Sequence, residues 1–189
     1  MRCLCLFLGG VLAGCGGGSD GGSGLNGFAA HDGLLADIGA MNVTPADQLP
    51  PSGSVAYAGS AVLNLPKQGA TVAYLGDLTI SVDFDTGPAA MGGSLSGLRT
   101  AGGDQLDGTL TIAGATFDSN ADPDIDYQFR ANVDGTLSRD AADYLLDGSL
   151  TGDYRGPDAA AMAGVIFGDV DTGSAVDIFD GSFAARANP

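Results

Sequence analysis

The stretch Leu78-Thr79-Ile80-Ser81-Val82-Asp83-Phe84-Asp85 alternates apolar and polar side chains without interruption. Because successive side chains of a β-strand point to opposite faces, this pattern predicts a strand with one buried and one solvated face. The same period of two returns in Phe129-Arg130-Ala131-Asn132-Val133, and Tyr127 precedes it with the parity of the apolar residues. The pattern indicates an all-β fold.

Runs of this kind, separated by clusters of Gly, Pro, Asp and Asn, predict about eight strands. We expect them near residues 54–64, 71–85, 90–98, 105–117, 126–138, 142–155, 160–168 and 175–186. Strands at this spacing are typical of a sandwich or an antiparallel barrel.

A short repeat favours the barrel. Asp-Gly-Ser/Thr-Leu/Phe occurs at residues 107–110, 134–137, 147–150 and 180–183. Asp-Gly is a frequent hairpin turn, but the residues around each copy keep one parity, as in Leu106, Gly108 and Leu110. We therefore place these glycines inside strands, facing inward, where small and large residues alternate to fill a narrow barrel. The sequence predicts an eight-stranded antiparallel β-barrel with a crowded lumen, which favours a site on the loops or outer wall over a lipocalin-like cavity.

The composition is acidic and poor in helix formers. All 23 acidic residues are aspartate, 32 of the 189 residues are glycine, and the formal net charge is −16. Aspartate favours turns and caps over helix interiors. An acidic surface repels nucleic acid and favours a soluble monomer, while it attracts basic partners in a salt-sensitive way.

The N-terminus carries the pattern of a secretory signal. Arg2 is followed by a short apolar run and then by Leu12-Ala13-Gly14-Cys15, and the run is too short to span a bilayer. This arrangement resembles the bacterial lipobox, which implies cleavage of residues 1–14 and lipidation of Cys15, with acyl chains such as palmitate. Cys3 and Cys5 lie within the signal, so no cysteine remains for a disulfide or a metal site.

The mature chain divides into a tether and a barrel domain. Gly16–Gly24 has the composition of a flexible linker. We expect residues 15–52 to hold the lipidated cysteine, this tether and a weakly ordered segment, and residues 53–187 to form the barrel. Phe28, Leu34, Leu35 and Ile38 are spaced to line one face of a short helix, and the segment from residue 25 to 52 is expected to pack weakly on the barrel.

The residues that carry haem or enzyme chemistry elsewhere give weak signals here. His31 is the only histidine and falls in the tether-like segment, where no pocket is predicted. Tyr127 and Tyr154 have inward parity, which favours packing over haem ligation, and Met91 and Met162 are expected to be strand residues. A serine triad or a cysteine nucleophile cannot be assembled from this sequence, so we predict a non-catalytic protein without a cofactor.

Asp118-Ser119-Asn120-Ala121-Asp122-Pro123-Asp124-Ile125-Asp126 has oxygen ligands at alternate positions, as a calcium-binding EF-hand loop does. However, Pro123 stands in place of the glycine of that loop, and Phe129 stands in place of its bidentate glutamate. An acidic hairpin loop is the preferred interpretation, and no metal site is predicted.

Three stretches resemble the barrel domain of the transferrin-binding protein B family: Pro51-Ser52-Gly53-Ser54-Val55-Ala56-Tyr57-Ala58-Gly59, the segment Tyr154–Gly168 with its Gly156-Pro157-Asp158-Ala159 turn, and the closing Phe179–Arg186. The resemblance covers roughly residues 51–187 and implies an eight-stranded antiparallel barrel. It also implies a lipoprotein of the outer membrane, displayed on the cell surface, that binds a host protein, haem or a metal-carrying partner.

Members of that family that bind transferrin have two lobes, each with a handle domain, whereas this chain has room for one barrel. The resemblance therefore implies a small single-barrel binding module for a protein partner or a haem or iron source, with an unknown contact site. Loops near residues 65–71, 99–105 and 118–126 are the expected variable surface. The alternatives are a periplasmic orientation and a structural envelope lipoprotein that binds no soluble ligand.

Overall fold

The computed structural model describes residues 24–67, 69–122, 125–140 and 142–188. The predicted signal peptide, Cys15 and the predicted tether up to residue 23 lie outside these residues. The elements are a helix, α1 (Gly24–Gly39), and eight strands: β1 (Ser54–Lys67), β2 (Ala70–Asp83), β3 (Met91–Arg99), β4 (Asp107–Phe117), β5 (Phe129–Arg139), β6 (Ala142–Arg155), β7 (Ala161–Asp171) and β8 (Val176–Asn188). Within the described ranges, no helix has both the length and the apolar character needed to cross a membrane.

The strands form one closed antiparallel barrel, which confirms the predicted fold class. Each strand pairs with the next in sequence, and β8 returns to β1 in a register that runs from Ala56↔Asn188 to Asn64↔Asp180. All eight predicted strands are present, with ends within a few residues of the expected ones.

The barrel has two ends. At the Tyr154 end lie the β2–β3, β4–β5 and β6–β7 connections, and at the Lys67 end lie the other four loops. The predicted variable loops 65–71 and 99–105 are therefore at the Lys67 end, while the loop 118–126 is at the opposite end. These three loops do not form one continuous surface.

Aromatic side chains fill the lumen near the Tyr154 end. The ring centroid of Tyr154 lies 5.0 Å from that of Phe129 and 5.8 Å from that of Phe84. Its hydroxyl donates to the carbonyl oxygen of Pro88 at 2.8 Å. The inward position predicted for Tyr154 is confirmed, and Met91 and Met162 are buried strand residues as expected. The inward position predicted for Tyr127 is wrong, because β5 begins only at Phe129 and Tyr127 is 44% exposed.

The repeated Asp-Gly glycines lie inside strands, as predicted. At Gly181 a Cβ atom would stand 2.0 Å from the carbonyl oxygen of Val62 on β1. At Gly148 it would stand 2.5 Å from the carbonyl oxygen of Phe167 and 2.7 Å from the ring of Phe179, a core side chain. These positions lack a side chain because the neighbouring backbone and core occupy its space.

The segment from residue 26 to 52 is not weakly packed, contrary to the sequence-based prediction. The helix is present as predicted, and its apolar face covers outward-facing alanines of β7 and β8, with Ile38 fully buried against Ala161, Ala163 and Ala184. Periodicity predicts the helix. It does not show that three alanines, on two strands far away in the sequence, leave room for the helix to pack on the barrel.

Beyond α1, the chain extends the sheet at the Tyr154 end. Val43 forms a β-bridge with Arg155, and the Thr44 amide donates to the carbonyl oxygen of Tyr154 at 2.8 Å. The buried side chain of Gln128 joins both parts: its Nε2 donates to the Thr44 carbonyl at 2.7 Å, and its Oε1 accepts from the Tyr154 amide at 3.0 Å. This network fixes the segment to the barrel.

Candidate functional site

The outer surface of β6, β7 and β8 exposes large apolar side chains. Leu145 on β6 is 55% exposed, Phe167 on β7 is 41% exposed, and Ile178 on β8 is 78% exposed. Val176, at the start of β8, is 67% exposed. Single exposed apolar residues are common, but neighbouring ones on adjacent strands mark interaction surfaces.

The strand register explains how these residues come together. Leu145 pairs with Asp171 on β7, while on β8 Ile178 pairs with Asp169 and Asp180 pairs with Phe167. Each apolar residue on this surface therefore lies opposite a carboxylate. We call this surface the β6–β8 wall and define it by the outward residues Leu145, Phe167, Val176, Ile178, Asp143, Asp147, Asp169, Asp171 and Asp180.

A positive charge from β5 lies at one edge of the wall. The guanidinium of Arg130 donates to the Ser149 hydroxyl at 2.9 and 3.0 Å, and its central carbon lies 5.6 Å from the ring centroid of Phe167. This geometry is a cation–π contact. It holds one face of the Phe167 ring in place.

A shallow cleft of about 430 Å³ adjoins the wall on the side of β1. Val62, Val165 and Phe167 supply its apolar lining, and Asn64 and Asp180 supply polar groups. The Asn64 amide donates to Asp180 at 2.6 Å, which fixes that carboxylate at the rim of the cleft. The volume of the cleft is large enough for a side chain from a partner.

His31 is part of α1 and not of a free tether, and its side chain lies between this helix and the outer surface of the barrel. It is 2% exposed, and its Nδ1 and Nε2 lie 2.9 Å from the Ser60 hydroxyl and 3.0 Å from the Ser182 hydroxyl. Burial lowers the pKa of His31 below its ordinary value of 6.5, and the nearby charge of Asp32 opposes this shift. The placement in a tether-like segment is therefore wrong. Its position one turn before Leu34 and Leu35, on the apolar face of the helix, was the signal that the sequence offered.

The two predicted loops at the Lys67 end meet in an ion-pair cluster. Asp104 Oδ2 lies 3.0 Å from Lys67 Nζ and 2.6 Å from an Arg139 guanidinium nitrogen. Hydrogen bonds from Arg139 and Lys67 hold the pKa of Asp104 well below its usual range. The cluster fastens three loops to one another, so it has a structural role.

The acidic loop at the Tyr154 end lies partly outside the described residues, since positions 123 and 124 are not among them. In the described part, the Asp118 carboxylate accepts from the Asn120 amide at 2.8 Å, which is an Asx turn. Across the residues that the structure describes, no three His, Cys, Asp or Glu side chains converge to hold a metal ion.

The β6–β8 wall was missed from the sequence, although a signal was present. Leu145-Leu146, Ile166-Phe167 and Ile178-Phe179 are pairs of adjacent apolar residues within strands. Because neighbouring strand residues point to opposite faces, one member of each pair must face outward. Three such pairs on consecutive strands predict an apolar outer surface.

No protein-family model matches the chain, and no curated protein matches it significantly.

Proposed function

We propose that this chain is a non-catalytic, lipid-anchored binding module of the outer envelope that docks a protein partner on the β6–β8 wall. The observation that carries the proposal is the set of exposed apolar side chains, led by Phe167 and Ile178, among aligned carboxylates. The lipobox-like Cys15 and the resemblance to the transferrin-binding protein B barrel support the anchored, outer-membrane location and the display at the cell surface.

The chemistry of the wall defines its partner. The carboxylates Asp143, Asp147, Asp169, Asp171 and Asp180 surround the apolar residues, with Arg130 at one edge. A second copy of this chain would bring like charges together, so charge complementarity favours a different protein. That protein carries Lys or Arg residues around aliphatic or aromatic side chains, which enter the cleft beside Phe167.

The buried tyrosines favour a protein partner over direct haem ligation. The hydroxyls of Tyr57 and Tyr154 donate to the carbonyl oxygens of Ala159 and Pro88, each at 2.8 Å. Burial raises the pKa of both phenols well above the usual range. For either phenol to ligate iron as a phenolate, it would have to leave its contact and ionise inside the core. Tyr57 and Tyr154 are therefore poor candidates for haem ligands, which favours a protein partner on the outer surface.

The test is site-specific photo-cross-linking in cells that express the full-length chain. A photoreactive residue at Ile178 is expected to give a discrete adduct that disappears with Phe167→Ser and weakens at high salt. The matched control is the same residue at Thr111, an exposed position on the outer face of β4. Equal labelling from both positions, or an adduct that survives Phe167→Ser, would refute the proposal.

The location is tested separately by protease treatment of intact cells, with Cys15→Ala as the anchoring control. Cleavage of the barrel on intact cells supports surface display. Protection until the outer membrane is breached places the barrel in the periplasm and directs the search to periplasmic partners.

A further inference from the structure

Helix α1 is attached to the barrel by an apolar face that contains one titratable side chain. Ile38 is fully buried, Leu34 and Leu35 pack beside it, and His31 continues the same face one turn earlier. Further toward the start of the helix, Gly27 lies so close to Leu75 of β2 that a Cβ atom would stand 2.8 Å from that side chain. The helix therefore crosses the outside of the barrel from β2 over β1 and β8 to β7.

The hydrogen bonds of His31 constrain its protonation state. A neutral imidazole has one donor and one acceptor nitrogen, so one serine hydroxyl donates to the ring and the other accepts from it. An imidazolium has two donors and no acceptor. Protonation would force the donating hydroxyl to turn and would place a positive charge in a site that is 2% exposed.

The charges around His31 do not include a carboxylate hydrogen-bonded to the ring, since both ring nitrogens contact serines. On α1 the charged groups are Asp32 and Asp37, and Asp37 lies 3.7 Å from Arg186 of β8. The β8 strand also carries Asp180, and β2 carries Asp77 opposite Ser60. The facing residues of β1 and β7 do not titrate; they are Ser60, Val62, Ala161, Ala163 and Val165. Of these charges, Asp32 acts on His31, in the direction that favours the imidazolium, and its effect is smaller than that of burial.

We propose that His31, held between Ser60 and Ser182, is a pH-sensitive contact whose protonation releases α1 from the barrel wall as the pH falls below neutrality. Release uncovers the alanines of β7 and β8 and Leu75 of β2, and it leaves the barrel held to its N-terminal segment by the Thr44 and Gln128 contacts. The exposed strip lies beside the cleft of the β6–β8 wall, so acidification enlarges the apolar surface.

The direction of the pH effect follows from the lowered pKa. Docked His31 has a lower pKa than released His31, for which the ordinary value is 6.5. Docking is therefore strongest above the released value and weakens as the pH falls below it. Between the two pKa values up to one extra proton is bound on release, so the ratio of docked to released helix falls by at most about tenfold per pH unit. The decline stops below the pKa of docked His31.

The experiment is hydrogen–deuterium exchange of the full chain between pH 7.5 and pH 5, corrected for the intrinsic pH dependence of amide exchange. We expect the α1 peptide, residues 24–39, to lose protection below about pH 6.5, by at most about tenfold per pH unit, while peptides from β4 and β5 keep theirs. The control is His31→Gln, whose neutral amide can still bond to both serines and whose α1 should show no such pH dependence. Since the chain has one histidine, the NMR titration of its ring gives an independent readout, expected below 6.5.

Three results would overturn the proposal. The first is that the protection of α1 does not change with pH in the wild-type chain, and the second is that the wild type and His31→Gln lose protection equally. The third is that the His31 ring titrates at its ordinary pKa. If His31→Gln loosens α1 already at neutral pH, the two wild-type readouts still decide, because both are measured without the variant. None of these results depends on a partner of the β6–β8 wall.

Discussion

Substitution of Gln128 by leucine is expected to destabilise the protein strongly, although the two side chains have similar volumes. Gln128 is 5% exposed and links three parts of the chain, since its side chain contacts Thr44 and Tyr154 while its backbone amide donates to Asp153. Leucine would leave the Thr44 carbonyl and the Tyr154 amide without these partners. Each unpaired buried group costs about 1–3 kcal/mol, so the expected loss in unfolding free energy for the two groups is about 2–6 kcal/mol.

Urea unfolding followed by circular dichroism measures this loss, and thermal unfolding gives a second estimate. For a chain of this size, a change of 1 kcal/mol shifts Tm by about 2–4 °C, so the expected decrease in Tm is roughly 4–24 °C. The matched control is Gln105→Leu, at an exposed glutamine in the loop before β4, which should change stability by less than about 0.5 kcal/mol. A loss of less than about 1 kcal/mol for Gln128→Leu, or one equal to the control, would refute the role of Gln128 as the link between the segment and the barrel.

Three further substitutions test other parts of the fold. Gly181→Ala should sharply lower the yield of folded protein or its Tm, because the added Cβ would stand 2.0 Å from the Val62 carbonyl oxygen. A variant of normal stability would contradict the close approach of β8 to β1. Gly33→Ala, at an exposed position of α1 with no atom near the added Cβ, should raise stability by about 0.5–1 kcal/mol, as measured by urea unfolding. Asp104→Asn should lower Tm at pH 7. The difference in Tm from the wild type should shrink as the pH falls below 3.8, the ordinary pKa of Asp. The reason is that the Asp104 carboxylate, whose pKa is lowered in the fold, stabilises the fold only while it is charged. A Tm difference that does not change with pH would show that the ion pairs with Lys67 and Arg139 are not its cause.

The barrel was predictable from the sequence because its core residues follow a local alternation of apolar and polar side chains. Alternation around Ile80 and Val82 and the parity of Gly108 and Gly148 give the strands and the inward faces, and neither depends on knowing a distant neighbour. Short loops then favour antiparallel pairing of consecutive strands.

The attachment of the N-terminal segment was not predictable in the same way. It depends on contacts between residues far apart in sequence, such as His31 with Ser182 and Gln128 with Thr44. Gln128 has the parity of a solvated strand residue, and the apolar helix face on which His31 lies does not show which strands it contacts. The prediction for Tyr127 was wrong for a related reason. Tyr127 precedes the first residue of β5, and the alternation of a strand does not extend into the loop before it.

The pairing of β1 with β8 also determines how the chain folds. Asn64 and Asp180 meet across this seam although they are 116 positions apart. Because loop-closure entropy opposes such contacts until most of the sheet is in place, β-rich topologies of this kind fold slowly. In any partly formed sheet that lacks the β1–β8 pairing, the two outer strands have unpaired edges. Closure of the seam thus removes the edges to which another chain could add a strand.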